Sequence, residues 1–115
     1  MDTQPRWKTE KTASLVKGLV AEFLARESQG PGLITVTDIQ MSNDRKSALV
    51  FLTVLPVEFE APVLDFAKRK SGEIADYVRS KSRMRVIPFL NFVIDIGEKN
   101  RQRIDEILHK EERKL

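Results

Sequence analysis

An α+β domain, with helices laid over one face of a three-stranded sheet, is the fold class this sequence predicts. Three observations predict it. Apolar periodicity runs in the order helix, strand, strand, interrupted helix, strand, helix. The second strand segment, residues 47–55, is apolar on both faces: Ala48, Val50, Leu52 and Val54 on one, Leu49, Phe51 and Leu55 on the other. That is the composition of a central strand. Finally, 115 residues that are 41% hydrophobic supply one core and too little apolar material for a second. One domain over residues 1–115 is therefore expected, with 1–6 as a flexible start and 109–115 as a frayed end.

The first helix is expected over residues 7–28, after Pro5. Leu15, Val16, Leu19, Val20, Phe23 and Leu24 recur at three- and four-residue steps and form one apolar stripe. Gly18 costs a helix up to about 1 kcal/mol relative to alanine, which suggests a neighbour packed closely against it. Gln29-Gly30-Pro31-Gly32 stops the helix. Residues 33–41 (LITVTDIQM) then read as a strand whose alternation slips once, between Ile34/Val36 and Ile39/Met41. A bulge near Thr37-Asp38 repairs the slip, since one extra residue flips the side chains that follow. Ser42 to Lys46 carries hairpin-turn chemistry into the central strand.

Pro62 suits a first helical turn, and a helix over 61–80 would bury Val63, Leu64, Ala67, Ile74, Ala75 and Val78. Its stripe is broken around Ser71-Gly72, a pair of the kind that kinks helices. Pro88 precedes a third strand, 89–96, with Leu90, Phe92, Ile94 and Ile96 on one side. A charged last helix over 99–114 carries only a thin stripe of Ile104, Ile107 and Leu108.

Composition excludes several kinds of chemistry. There is no cysteine, hence no disulfide, thiolate nucleophile or cysteine-based metal site. The polar N-terminal segment has no apolar signal core, and the longest apolar-dominated stretch, 48–57, is too short to cross a membrane as a helix. A soluble intracellular protein with no membrane association is expected. The lone histidine, His109, falls on the charged last helix, where a surface role far outweighs a catalytic one. Asp65, Glu73 and Asp76 are interleaved with Lys68, Arg69 and Lys70, which reads as solvated helix charge. No run has zinc or calcium spacing. Neither an enzyme, nor a metal, nor a cofactor, nor a small-molecule substrate is expected.

The positive signal is cationic. The formal charge of +3 is modest, so clustering matters more than the total. Arg79, Lys81, Arg83 and Arg85 alternate with Ser80, Ser82 and Met84 and include no acid. They would line one edge if extended, or fan around a helix end if helical. Arginine forks suit phosphates, but cations at a helix C-terminus also complement its dipole. On composition the two readings stand level. Lys8 and Lys11 on the first helix, and Arg45 and Lys46 in the hairpin turn, are weaker candidates. Trp7, a possible base-stacking residue, is more simply a packing lid.

Several strings, in this order and spacing, resemble the ribosome-binding factor A family. They are Phe23-Leu24-Ala25-Arg26-Glu27 at the end of helix one and Val36 to Asp44, similar to a Val-x-x-Val-x-Met-Ser-x-Asp signature. Ser71-Gly72 falls at the family's helix kink, and Arg83 to Phe92 is similar to the family's Arg-x-x-Pro-Glu-Leu-x-Phe entry to the last strand. The resemblance implies a type II K-homology-like domain, α-β-β-α-kink-α-β, without a Gly-x-x-Gly clamp; this chain has no such string either. It further implies binding to the small (30S) ribosomal subunit and 16S rRNA late in assembly, help in maturing the 5′ end of that RNA, and a role in growth at low temperature. A cytoplasmic monomer is expected. Two positions depart from the pattern: Lys70 where the family favours alanine, and Phe89 where it favours glutamate. The alternatives are a generic single-stranded RNA-binding protein, or a dimerisation module anchored by Phe89 and Val93.

Overall fold

The computed structural model describes residues 6–28, 30 and 32–97, with side chains described from Lys11 onward. The expected last helix, the frayed end and His109 lie outside the described residues. The elements are α1 (Arg6–Glu27), β1 (Leu33–Met41), β2 (Ser47–Leu55), a short 3-10 turn (Val57–Phe59), α2 (Glu60–Arg69), α3 (Ser71–Lys81) and β3 (Phe89–Ile94). Arg6 is already helical, so α1 begins inside the segment expected to be loose.

The sheet order is β1-β2-β3, which places β2 in the centre. β1 pairs with it antiparallel and β3 parallel, and the parallel pair needs the crossover that α2 and α3 supply. The β1–β2 register shifts between Val36 and Asp38, leaving Thr37 as the extra residue. This is the bulge that the broken alternation demands: Val36 and Ile39, three apart, are both buried on the core side.

The core joins Val16, Val20, Phe23 and Leu24 of α1, Ala67 of α2, and Ile74 and Val78 of α3 to one face of the sheet. That face presents Val36, Ile39, Ala48, Val50, Leu52, Leu90 and Phe92. Leu49 and Phe51 alternate to the other face and are buried too. Leu15, expected within the α1 stripe, is 44% exposed at its margin. Gly18 is exposed and a Cβ built on it meets nothing within 4 Å, so no neighbour approaches it closely.

The helix break falls at Lys70, one residue ahead of the expected Ser71-Gly72 pair. Lys70 has φ −96° and ψ 7°, outside the helical well, although its N–H still donates to Phe66 O at 3.0 Å. Ile74 N–H returns to Lys70 O at 2.8 Å and starts α3, so Ser71 and Gly72 form the first turn of the second helix. The break serves packing: α2 lies against β2 and β3, whereas α3 lies against α1 and β3. One straight helix does not cover both.

β3 ends at Ile94 rather than Ile96, which is 64% exposed. Asp95 N–H still reaches Leu52 O at 2.7 Å, but its carboxylate accepts from Gly97 N–H at 3.2 Å. This Asx-type turn, with Gly97 at φ 113°, leads the chain off the sheet.

Candidate nucleic-acid interface

The β1–β2 turn is built by two short side chains. Ser42 N–H donates to Ser47 O at 2.9 Å, and Ser47 N–H returns to Ser42 Oγ at 3.1 Å. Ser42 Oγ–H in turn donates to Asp44 Oδ1 at 2.6 Å, and Lys46 N–H donates to the same oxygen at 3.0 Å. The Ser42 hydroxyl, with help from the Lys46 amide, holds the Asp44 carboxyl below the usual carboxylate range. The turn closes with Arg45 at φ 61°, a left-handed conformation that few side chains adopt. Arg45 and Lys46 are thereby presented at the sheet end on a rigid frame, with Lys46 exposed.

Beside them runs the segment between α3 and β3, residues 82–88. It is neither helical nor paired as a strand, so neither arrangement considered for the four alternating cations holds throughout. Met84 and Ile87 pack against the core, and Arg83 and Arg85 on either side of Met84 are exposed. Phe89 N–H donates to Lys46 O at 2.9 Å and ties the end of this segment to the hairpin turn. Packing of the half-buried methionine pins the loop, and alternation sends the arginines outward.

The four alternating cations therefore divide. Arg79 Nη1 pairs with Asp76 Oδ1 at 2.8 Å on α3, and Lys81 Nζ sits 5.8 Å from the centroid of the Tyr77 ring. Arg83 and Arg85 have no acidic partner among the described residues. The acids of this region are engaged with helix neighbours: Asp65 with Arg69 at 3.0 Å, Glu73 with Lys70 at 3.4 Å, Asp76 with Arg79. Such solvated pairs add little stability. Among the described residues no group of acids and histidines could hold a metal ion, and no helix is long and apolar enough to cross a membrane.

Two of the weaker candidates, Arg45 and Lys46, lie beside the segment that carries Arg83 and Arg85. A cavity of about 320 Å³ opens between the hairpin turn and the 82–88 segment, lined by Met41, Asp44, Arg45, Lys46, Met84, Val86 and Pro88. Thr12 of α1, adjacent to the exposed Lys11, contributes another wall. Thus Arg45/Lys46 of the hairpin turn and Met84/Val86 of the 82–88 segment, separate in sequence, line one cavity, and Lys11, Arg83 and Arg85 are chain neighbours of its lining residues. The side chain of Lys8 lies outside the described ones. Sequence reasoning missed the cavity and its apolar walls; Met84, set between two arginines, was the available signal. Phe89 is 66% exposed, whereas Val93, its suggested companion in a dimer contact, is half-buried.

A sequence model of the family described as ribosome-binding factor A matches residues 8–108. The ribosome-binding factor A of Thermodesulfovibrio yellowstonii is 32% identical over 107 residues, covering 91% of this chain and 91% of its own length. That of Thermobifida fusca is 35% identical over 109 residues, covering 90% of this chain and 70% of its own. The crystal structure of ribosome-binding factor A from Thermus thermophilus superimposes with a TM-score of 0.66 at 22% identity, covering 74% of this chain and 92% of that one. A homology model of the Thermus thermophilus factor, fitted into a cryo-EM map of its 30S complex, gives 0.62 at 24% identity, covering 71% and 89%. The structural likeness shows the fold, and the architecture is the K-homology-like one.

Proposed function

The chain belongs to the ribosome-binding factor A family, and from that premise we propose that it is a non-enzymatic assembly factor that binds the small ribosomal subunit through 16S rRNA. It acts late in subunit maturation, assists processing of the 5′ end of that RNA, and supports growth in the cold. It works as a cytoplasmic monomer.

The observation that carries the reading is that Lys46, on a turn fixed by Ser42 and Asp44, is hydrogen-bonded through its backbone to Phe89, at the end of the segment that carries the exposed Arg83 and Arg85. A fixed backbone confines the entropy lost on binding phosphate to the side chains themselves. Contacts of this kind position a protein on RNA without reading its sequence. Arg79 and Lys81 contribute after giving up Asp76 and Tyr77, which makes them secondary to Arg83 and Arg85.

Co-sedimentation of the full chain with purified small subunits at graded salt tests the proposal. Association should weaken steeply as salt rises, because each phosphate contact releases counterion. A preference for intact subunits over free RNA oligomers separates an assembly factor from a generic single-stranded RNA binder. Failure to sediment with subunits at low salt would refute it.

A further inference from the structure

The cavity beside the hairpin turn has two kinds of wall. Met41, Met84, Val86 and Pro88 are apolar, and Arg45 and Lys46 are cationic. The acid among its lining residues, Asp44, has Oδ1 committed to Ser42 and the Lys46 amide. Val86 is 78% exposed, so apolar surface is offered to solvent beside a cationic rim. Resting on the RNA-binding reading above, we infer that this cavity takes the base of a single unpaired nucleotide, with its phosphate held by Lys46.

Charge complementarity and size select this occupant. A nucleotide is a flat, weakly polar ring one sugar away from an anion, and this cavity sets an apolar slot against two cations that outnumber its one carboxylate, Asp44, which Lys46 already faces. A slot of about 150 Å³ accommodates benzene, so 320 Å³ has room for a purine. A base inside a duplex has both faces covered by its neighbours and cannot enter, which restricts the ligand to loops, bulges and single strands. Methionine thioethers suit ring faces, being flexible and polarisable. The slot therefore adds discrimination for unpaired RNA to a surface that would otherwise attract any phosphate backbone.

The chain has three methionines, of which Met41 and Met84 line the cavity, so their methyl groups are internal reporters. The full chain, carbon-13 labelled at methionine methyls, is titrated with a short oligoadenylate and with the same oligomer made abasic. The Met41 and Met84 signals should shift saturably with the intact oligomer and stay in place with the abasic one. The backbone amides of Lys46 and Arg85 should respond to both. Thr12→Leu, which narrows the slot without changing charge, should weaken binding of the intact oligomer by about five- to tenfold and leave the salt slope unaltered. Val86→Ala, at an exposed wall, should weaken it in the same sense if Thr12→Leu perturbs α1. Amide shifts with unmoved methyls, or methyl shifts equal for both oligomers, would overturn the slot and leave phosphate docking intact. Methyl shifts caused by an acidic peptide and not by RNA would also overturn it. Loss of subunit co-sedimentation itself would remove the underlying reading instead.

Discussion

Tyr77 of α3 donates its hydroxyl proton to Glu22 Oε1 of α1 across 2.9 Å. The Tyr77 hydroxyl oxygen accepts from Arg26 Nη1 at 3.3 Å, and the ring meets Phe23 edge-on with centroids 5.8 Å apart. Lys81 and Arg26 both lie close to the ring, at 5.8 and 5.7 Å from its centroid. One residue thus clasps α3 to α1 over the sheet and holds a cation of the proposed interface. Tyr77→Phe removes the two hydrogen bonds and keeps the ring contacts. A loss of about 0.5–1 kcal/mol is expected from urea denaturation, at the low end because the bonds are exposed. Tyr77→Ala should cost clearly more, and equal losses for the two variants would assign the whole effect to the hydroxyl.

Charge reversal at Arg83 and Arg85 separates binding from folding. Both side chains are exposed and neither is ion-paired among the described residues, so the double change to Glu should leave the thermal midpoint within about a degree or two. Subunit co-sedimentation should fall at every salt concentration, with a shallower salt slope. Reversal at Arg79 alone should do less, because Asp76 already competes for it. Unchanged co-sedimentation of the folded double variant would exclude this segment from the interface.

The position of the helix break makes a prediction about Gly72 and Gly18. Both lie within helices, neither has a positive φ, and a Cβ on either meets nothing within 4 Å. Gly72→Ala and Gly18→Ala should therefore each stabilise the protein, by about 0.4–1 kcal/mol, and add nearly independently. Had the kink needed glycine at position 72, the first substitution would destabilise instead.

Thr37, the bulge residue, braces the far side of the sheet. Its Oγ1 lies 2.6 Å from Asp95 Oδ2 and 3.2 Å from Phe51 O, and its single proton goes to the closer, charged acceptor. Thr37→Val should cost about 1–2 kcal/mol. A double-mutant cycle with Asp95→Asn should show coupling between the two positions. Additive losses would mean that the contact contributes nothing of its own.

The Asp44 carboxyl should titrate below an ordinary aspartate when followed by its side-chain carbonyl resonance. Ser42→Ala should bring it back toward the ordinary value, because the Ser42 hydroxyl is the largest cause of the depression. The sign of the linkage follows. A depressed folded-state pKa gives stability that is fully present above the unfolded value and is lost as pH falls through the folded one. Wild type should therefore lose more stability than Ser42→Ala as pH falls across that acidic window.

What the sequence by itself determined is what short-range patterns carry. The broken alternation around Thr37 located the bulge, two-faced apolarity made residues 47–55 the central strand, and the Gly-Pro-Gly run bounded α1; each rests on side-chain period or turn chemistry within a few residues. The resembling strings likewise pointed to the family. Only the tertiary structure decided the rest. The break at Lys70 follows from α2 and α3 packing against different elements, and the exposure of Leu15 and the open space at Gly18 depend on where the sheet lies. The cations were visible as candidates but not as a site. Asp76 and Tyr77 draw Arg79 and Lys81 onto α3, while strand pairing carries Lys46 to the start of β3, beside the loop that holds Arg83 and Arg85. The cavity between them has walls from separate stretches of chain, and no local pattern encodes a distance between residues that only the sheet brings together.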